Sequence, residues 1–259
     1  IMGNFYCEDS YYEVPTLVPG PGVDDEKLFE EHFVGCACLK AKCDSSCPCV
    51  QYTKVEANYD EDGRLADDGI DSIVECSDNC GCALLPKPCG NRVVQNGIRV
   101  ELQLRGASGK GLGVVAGETI KKNTFVCEYA GELISKEEVE KRHSPEAVHN
   151  YTFTIKEHVQ AGTISSYIDA RLNGNISRFI NHGCDPNLVP CIVRFNSEAP
   201  HAALFACRQI EKGEELCYDY GPLESGDISG DVSLERRKRC HCGARNCRGF
   251  LPMSKSATA

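Results

Sequence analysis

The sequence predicts a mostly β protein in which one folded central domain of several small sheets is flanked by two cysteine-rich modules. Three observations carry that expectation. Short strand-like runs recur between about Ile98 and Tyr220, with a single helix start among them. Most of the 18 cysteines fall into two dense groups on either side of that stretch. The 259-residue chain is 41% hydrophobic and 25% charged, the balance of a globular protein with a core of its own.

Residues 1–30 form an N-terminal flank, with Phe5, Tyr6, Tyr11 and Tyr12 followed by Pro15, Pro19 and Pro21, and read as extended. Residues 31–94 hold the first cysteine group; inside it Glu56 to Asp71 is an acidic, glycine-containing loop expected to be mobile. The central domain, 95–222, opens with Val100–Leu104, which alternates as a strand does. Thr124–Ile134 reads as one longer strand with Phe125, Cys127 and Tyr129 on one face and Val126, Glu128 and Ala130 on the other. Ser135-Lys136-Glu137-Glu138 is a capping-box pattern and predicts a short helix. Further strands are expected at Tyr151–Ile155, Ser166–Asp169, Cys191–Phe195, Ala202–Ala206 and Leu216–Tyr220. The Gly/Ser/Asp-rich stretch from Pro222 to Ser233 marks a linker, 223–236, before the second cysteine module, 237–253. No internal repeat is visible.

Composition narrows the function classes. No apolar run reaches the roughly 18 residues of a membrane span, and the first residues lack the basic start and apolar centre of a secretory signal. A secreted disulfide scaffold is one reading of so many cysteines. Dense thiol groups around an ordinary globular stretch point instead to zinc. The formal net charge is −10; thirteen thiolates on four zinc ions would take it to about −15. Such a chain repels DNA phosphates and attracts a basic polypeptide, although acidity is equally compatible with simple solubility.

The first group runs Cys36-x-Cys38-x4-Cys43-x3-Cys47-x-Cys49, then Cys76-x3-Cys80-x-Cys82-x6-Cys89. Three tetrahedral zinc ions need twelve bonds, which six terminal and three bridging thiolates supply, so nine cysteines suit one triangular cluster. A mixture of smaller sites and free thiols is the alternative. Either role is structural, because no histidine interrupts the pattern to leave an open position. The second group, Cys240-x-Cys242-x4-Cys247, is one ligand short. Cys184, in Asn181-His182-Gly183-Cys184-Asp185-Pro186-Asn187, is the candidate fourth; His241, placed between two ligands, is the rival. Cys7, Cys127, Cys191, Cys207 and Cys217 are left as free thiols.

Five motifs then occur in one order: the nine-cysteine module, Gly109-Lys110-Gly111-Leu112-Gly113, Glu128-Tyr129-Ala130-Gly131-Glu132, Arg178-Phe179-Ile180-Asn181-His182-Gly183-Cys184, and Tyr218-Asp219-Tyr220-Gly221 before the Cys-x-Cys-x4-Cys tail. Over about residues 30–253 this resembles the pre-SET, SET and post-SET arrangement of the heterochromatin-type histone-lysine methyltransferases. The resemblance implies the SET β-fold, with a knot-like crossing near Asn181–Cys184, and methyl transfer from S-adenosylmethionine to a lysine of a histone tail or nucleosome. Within that family this cysteine architecture goes with the ninth-residue lysine of histone H3, and with chromatin in the nucleus. It implies that Lys110, Gly111 and Leu112 contact the cofactor mainly through backbone. Asn181 would bind it through its amide and His182 through backbone, with Tyr151, Arg178 and Phe250 as further cofactor residues. It makes Tyr220 the catalytic residue, with Tyr129 and Tyr218 lining the lysine channel. Three positions depart from the common pattern: Gly183, where many members have Ser; Leu112, where an aromatic is common; and Tyr218, where many trimethylating members have Phe. Tyr at 218 implies mainly mono- and dimethylation. A catalytically silent zinc-binding adaptor and a methyltransferase of non-histone lysines remain alternatives.

Overall fold

The computed structural model, which describes residues 12–24, 26–30, 34–87, 89–142, 151–221 and 238–252, builds short strands into two sheets and a separate hairpin. In chain order these are β1 (Tyr12–Glu13), β2 (Val18–Pro19), helix α1 (Pro48–Gln51), β3 (Ser72–Val74), β4 (Leu102–Ala107), β5 (Gly111–Ala116), β6 (Phe125–Glu128) and β7 (Gly131–Ile134). Helix α2 (Lys136–Arg142) follows, then β8 (Thr152–Val159), β9 (Gly162–Gly174), β10 (Asn181–His182), β11 (Leu188–Arg194), β12 (His201–Ala206) and β13 (Cys217–Tyr218). One sheet runs β1-β9-β7-β2 with β8 also on β9; the other runs β10-β13-β11-β12-β6 with β3 on β11; β4 and β5 pair alone.

The flank is extended, as expected, and also forms part of the first sheet: β1 and β2 pair in parallel with β9 and β7. Pro19 sits on an edge strand, where its missing N–H breaks no ladder. Between the two strands the buried Glu128 carboxylate accepts from Leu17 N (2.9 Å), Thr16 Oγ1 (2.7 Å) and His201 Nδ1 (2.8 Å). The aromatics at 5, 6 and 11, and Cys7, lie outside the described residues.

The acidic loop departs from expectation. Asp60 accepts from the backbone of Asp62 and Arg64 and pairs with the Arg64 guanidinium, while Tyr59 and Leu65 are buried. They join Ile73 and Val94 against Phe125, Cys191, Val193 and Phe205 of the central domain. Each fully buried aliphatic or aromatic side chain of this kind contributes roughly 1.5–3 kcal/mol, enough to hold the segment that composition alone made mobile. β3 reinforces the junction by pairing in parallel with β11.

Two strand assignments change. Thr124–Ile134 is two strands in different sheets, since β6 pairs with β12 and β7 with β9. Residues 125–131 are buried throughout, and Phe125, Cys127 and Tyr129 enter three separate core clusters. The alternation therefore marks a crossing between cores, not one face and its reverse. Leu216–Tyr220 shortens to the two residues of β13. The glycine-rich stretch is a turn through Lys110, and β5 begins at Gly111, whose φ of +78° is adopted at no steric cost. Helix α2 starts as its capping box predicts, with Glu138 N donating to Ser135 Oγ (3.2 Å). Arg142 ties its end to Glu132 (2.7 Å) and Asp169 (2.8 Å).

Candidate active site and zinc centres

The cysteine module is built around its thiols. All nine are buried except the half-buried Cys38, and they form the module's core with Val50. Cys36, Cys38, Cys43 and Cys47 place their sulfurs within 4.8 Å of one another, as do Cys36, Cys47, Cys49 and Cys76, and Cys36, Cys43, Cys76 and Cys82. Cys49 and Cys80 are 3.8 Å apart and Cys36 and Cys82 3.9 Å; tetrahedral Zn–S bonds of about 2.3 Å put sulfurs about 3.8 Å apart. Cys89 lies against Cys76, Cys82 and Cys43. Hydrogen bonding from Cys76 holds Cys49 and Cys89 below the ordinary thiol range. Backbone N–H groups of Cys36 (3.3 Å) and Ser77 (3.2 Å) donate to Cys80 Sγ, the outer-shell support that structural metal sites use. The cysteines can hold zinc. None of the described ones is in a disulfide.

The tail folds back as the ligand count requires. Cys184, Cys240, Cys242 and Cys247 gather within 4.8 Å, and His241 is not in the group. The His241 ring instead lies beside Gly109 at the tip of the β4–β5 hairpin. Cys240 N donates to Gly249 O (2.9 Å) and Leu251 N to Lys238 O (3.0 Å), so half-buried Phe250 sits in a short backbone pairing with Arg239.

The hairpin, the central motif and the segment just before β13 meet at Asn181. Its Nδ2 donates to Leu112 O (2.9 Å) and to Glu215 Oε1 (3.1 Å), and Glu215 holds Lys110 Nζ at 2.7 Å. Both amide hydrogens are thus engaged, leaving Oδ1 as the acceptor. His182 carries a different load. Tyr220 N donates to its Nδ1 (3.3 Å), and its Nε2 lies 3.2 Å from Cys184 Sγ. Burial lowers the His182 pKa; Asp219 opposes that and nearby Arg248 adds to it, keeping the ring neutral. The next residue accounts for one departure noted above: a Cβ at Gly183 would lie 2.5 Å from Cys217 Sγ and 2.9 Å from Cys217 Cβ. A cleft of about 150 Å³ opens beside Lys110, His182, Gly183, Cys217 and Cys242.

Three tyrosines close the site. Tyr129 Oη donates to Tyr151 O (2.7 Å) and Tyr220 Oη to Ile180 O (2.7 Å). The Tyr218 ring lies 4.7 Å from Tyr220 and 6.5 Å from Tyr129. Burial raises the Tyr129 and Tyr218 phenol pKa values; Tyr220 as a residue is 43% exposed, but desolvation of its hydroxyl, which is tied to Ile180 O, raises its pKa too. The buried Arg178 guanidinium stacks 4.2 Å over the Tyr151 ring, beside these tyrosines. Lys110, Leu112 and Asn181 thus come together, as do His182 and Tyr220, and Tyr129, Tyr151, Arg178 and Tyr218; Gly111 starts β5 and Phe250 pairs with Arg239 in the tail. Sequence reasoning missed Phe153, 5.2 Å from Tyr129 and 5.7 Å from Tyr218; its signal was the β alternation that puts it on the face of Tyr151. It also missed Glu215 and Arg248, which no spacing rule singles out.

Comparison with known proteins agrees with this geometry. The pre-SET motif matches residues 5–92 and the SET domain residues 111–221. The chain is 45% identical over 249 residues to the probable histone-lysine N-methyltransferase set-23 of Caenorhabditis briggsae, covering 95% of this chain and 98% of that protein. It is similar to the crystal structure of the methyltransferase domain of human histone-lysine N-methyltransferase SETMAR, with a TM-score of 0.78, 36% identity, and 94% of this chain and 89% of that one covered. It is also similar to KRYPTONITE crystallised with mCHH DNA, an H3(1-15) peptide and SAH, with a TM-score of 0.72, 30% identity, and coverage of 93% and 47%.

Proposed function

This chain belongs to the SET-domain histone-lysine N-methyltransferases, and from that premise we propose that it methylates a histone tail in chromatin, at the ninth-residue lysine of histone H3 by family analogy. The observation that carries the reading is the convergence of Tyr129, Tyr218 and Tyr220 on the Asn181–His182 motif, with the tail cysteines docked behind it. So complete a site argues against a silent adaptor. The H3 peptide in the KRYPTONITE structure supports a histone substrate, and the net charge of −10 favours a basic polypeptide over strong direct DNA binding.

The residues fit S-adenosylmethionine. Open space surrounds Gly111, the cleft lies beside His182, and Asn181 presents an oxygen suited to an ammonium group. When bound, the cofactor supplies a methyl group on a positively charged sulfur. Lys110, Gly111 and Leu112 would offer backbone, His182 lines the cleft, and Tyr151, Arg178 and Phe250 would supply further contacts from outside it. The Tyr220 hydroxyl, oriented by Ile180 O, polarises and positions the transferring methyl with neighbouring carbonyls. Tyr129 and Tyr218 form the channel that aligns the amine.

One assignment satisfies the zinc accounting. Cys36, Cys38, Cys43 and Cys47 hold the first ion; Cys49 and Cys80 share the second with Cys36 and Cys76; Cys82 and Cys89 share the third with Cys43 and Cys76. Cys36, Cys43 and Cys76 are then the bridges. Cys184, Cys240, Cys242 and Cys247 hold the fourth ion. Residues 31–94, 95–222 and 237–253 act as pre-SET, SET and post-SET parts, joined by 223–236.

Product degree rests on Tyr218. Its hydroxyl can hold the amine directly or through a water, and that water must leave before a methylated amine can rotate for another transfer. Mono- and dimethyllysine are the expected products. The test is methyl transfer to a panel of histones and tail peptides, with the lysine and its methylation degree read by mass spectrometry. Transfer to no histone lysine would sink the substrate reading. Ready trimethylation by the wild type would remove the limit assigned to Tyr218.

A further inference from the structure

Arg248 follows the last tail cysteine and reaches three parts of the site. Its backbone N–H donates to Cys184 Sγ (3.4 Å). Its guanidinium donates from Nη2 to Asp219 Oδ1 (2.5 Å) and from Nη1 to Gly221 O (3.1 Å), and Nη2 lies 3.2 Å from His182 Nε2. Asp219 stands between Tyr218 and Tyr220, and its Oδ1 also accepts from Gly221 N (3.0 Å). A tail fastened to the core through the Cys184 sulfur alone could pivot about that point. A planar, two-pronged donor bound to a carboxylate and a carbonyl removes the pivot. Arg248 Nε is buried with no hydrogen-bond partner among the described residues, a cost that persists only where the other contacts outweigh it.

We propose that Arg248 is a positioning residue: by bonding Asp219 and Gly221 it locks the Tyr218–Tyr220 segment to the tail zinc site, so that metal binding in the tail and tyrosine alignment are one unit. The proposal rests on the assignment of those tyrosines to the lysine channel. The ion pair is not a stability device. The Arg248 and Asp219 side chains are 25% and 39% exposed, and pairs so exposed contribute about 0–1 kcal/mol to folding. A merely structural role and a positioning role therefore predict different data.

The experiment compares wild type with Arg248→Gln, Arg248→Lys, Asp219→Ala and the Gln/Ala double variant. Zinc per chain, Tm, amide exchange at 216–221, and kcat and KM for an unmethylated histone-tail peptide as acceptor are measured in each. Arg248→Gln should keep its full zinc content and a Tm within about 3 °C of wild type. Amides of 216–221 should exchange about tenfold faster, and kcat should fall at least about tenfold with KM changed less than about twofold. Arg248→Lys should recover only part of the loss, because a point charge lacks the fork. The double variant should be no worse than the poorer single one. Unchanged exchange and kcat in Arg248→Gln, effects that multiply in the double variant, or loss of one zinc would each overturn the proposal. Exchange is independent of turnover, so a wild type that methylates no histone peptide would overturn the substrate reading and leave this one still decided by the exchange data.

Discussion

Replacing Glu75 by Gln tests what joins the cysteine module to the central domain. Glu75 is fully buried beside Cys76. Its Oε1 accepts from Tyr59 Oη, Val93 N and Val94 N, each at 2.7 Å, and its Oε2 from Gln95 N (3.2 Å) and Gln95 Nε2 (2.9 Å). In the variant the amide oxygen can keep the first three donors only by turning its NH2 toward Gln95. Two donors then face a donor. The Gln95 side chain can flip to accept, but it then gives up its bond to Cys76 O (3.0 Å). Either way about two buried bonds are lost, at roughly 1–3 kcal/mol each. Relief from burying a charge offsets part of this, leaving a destabilisation of about 2–4 kcal/mol. At about 2–4 °C per kcal/mol for a chain of this size, Tm should drop by roughly 5–15 °C. Thermal unfolding followed by circular dichroism, with zinc content checked on the folded protein, measures it. A Tm within about 1 °C of wild type would refute the claim that these five donors depend on an anion.

Three further outcomes follow from the same contacts. Cys184→Ser should lower zinc content by one ion per chain and abolish methyl transfer while far-UV circular dichroism is largely retained; an unchanged metal count overturns the tail assignment. Tyr220→Phe frees Ile180 O and removes a contact made chiefly in the transition state, so kcat should fall about 10²–10³-fold with cofactor affinity nearly intact; calorimetric binding and initial rates separate the two effects. The substrate lysine starts from a pKa of about 10.4 and must lose its proton, whereas desolvation of their hydroxyls holds the Tyr129, Tyr218 and Tyr220 phenols above their ordinary range. The kcat/KM profile should therefore climb through mildly alkaline pH without a descending limb from tyrosine ionisation, and a fall centred below pH 10 with zinc still bound would contradict it.

The site was largely legible because its parts are local in sequence. Cysteine spacing gave the nine-thiol group, a missing fourth ligand pointed to Cys184, and short motifs held Asn181, His182 and Tyr220. What remained hidden depends on contacts through space. Nothing in Glu215 marks it as the acceptor for both Lys110 and Asn181, and an Arg after a cysteine looks like any surface cation until Asp219 is placed beside it. The crossing at Tyr129–Ala130 was missed because alternation reports faces, and a segment buried on both sides offers no solvent face to contrast. The loop at 56–71 misled for the converse reason: Arg64 pairs with Asp60 and Asp62, Lys122 of the central domain pairs with Asp68, and the apolar Tyr59 and Leu65 do the anchoring.

The tight approach of Gly183 to Cys217 has an evolutionary reading. The two positions share one volume, since any Cβ at 183 meets the Cys217 sulfur at 2.5 Å. Their substitutions should show strong epistasis. A path that first trims 217 and then enlarges 183 avoids the overlap, whereas the reverse order passes through a clash beside Cys184. Lineages with a larger residue at 183 should therefore carry a smaller or differently rotated one at 217. A scan of single substitutions would credit to one position an effect that belongs to two.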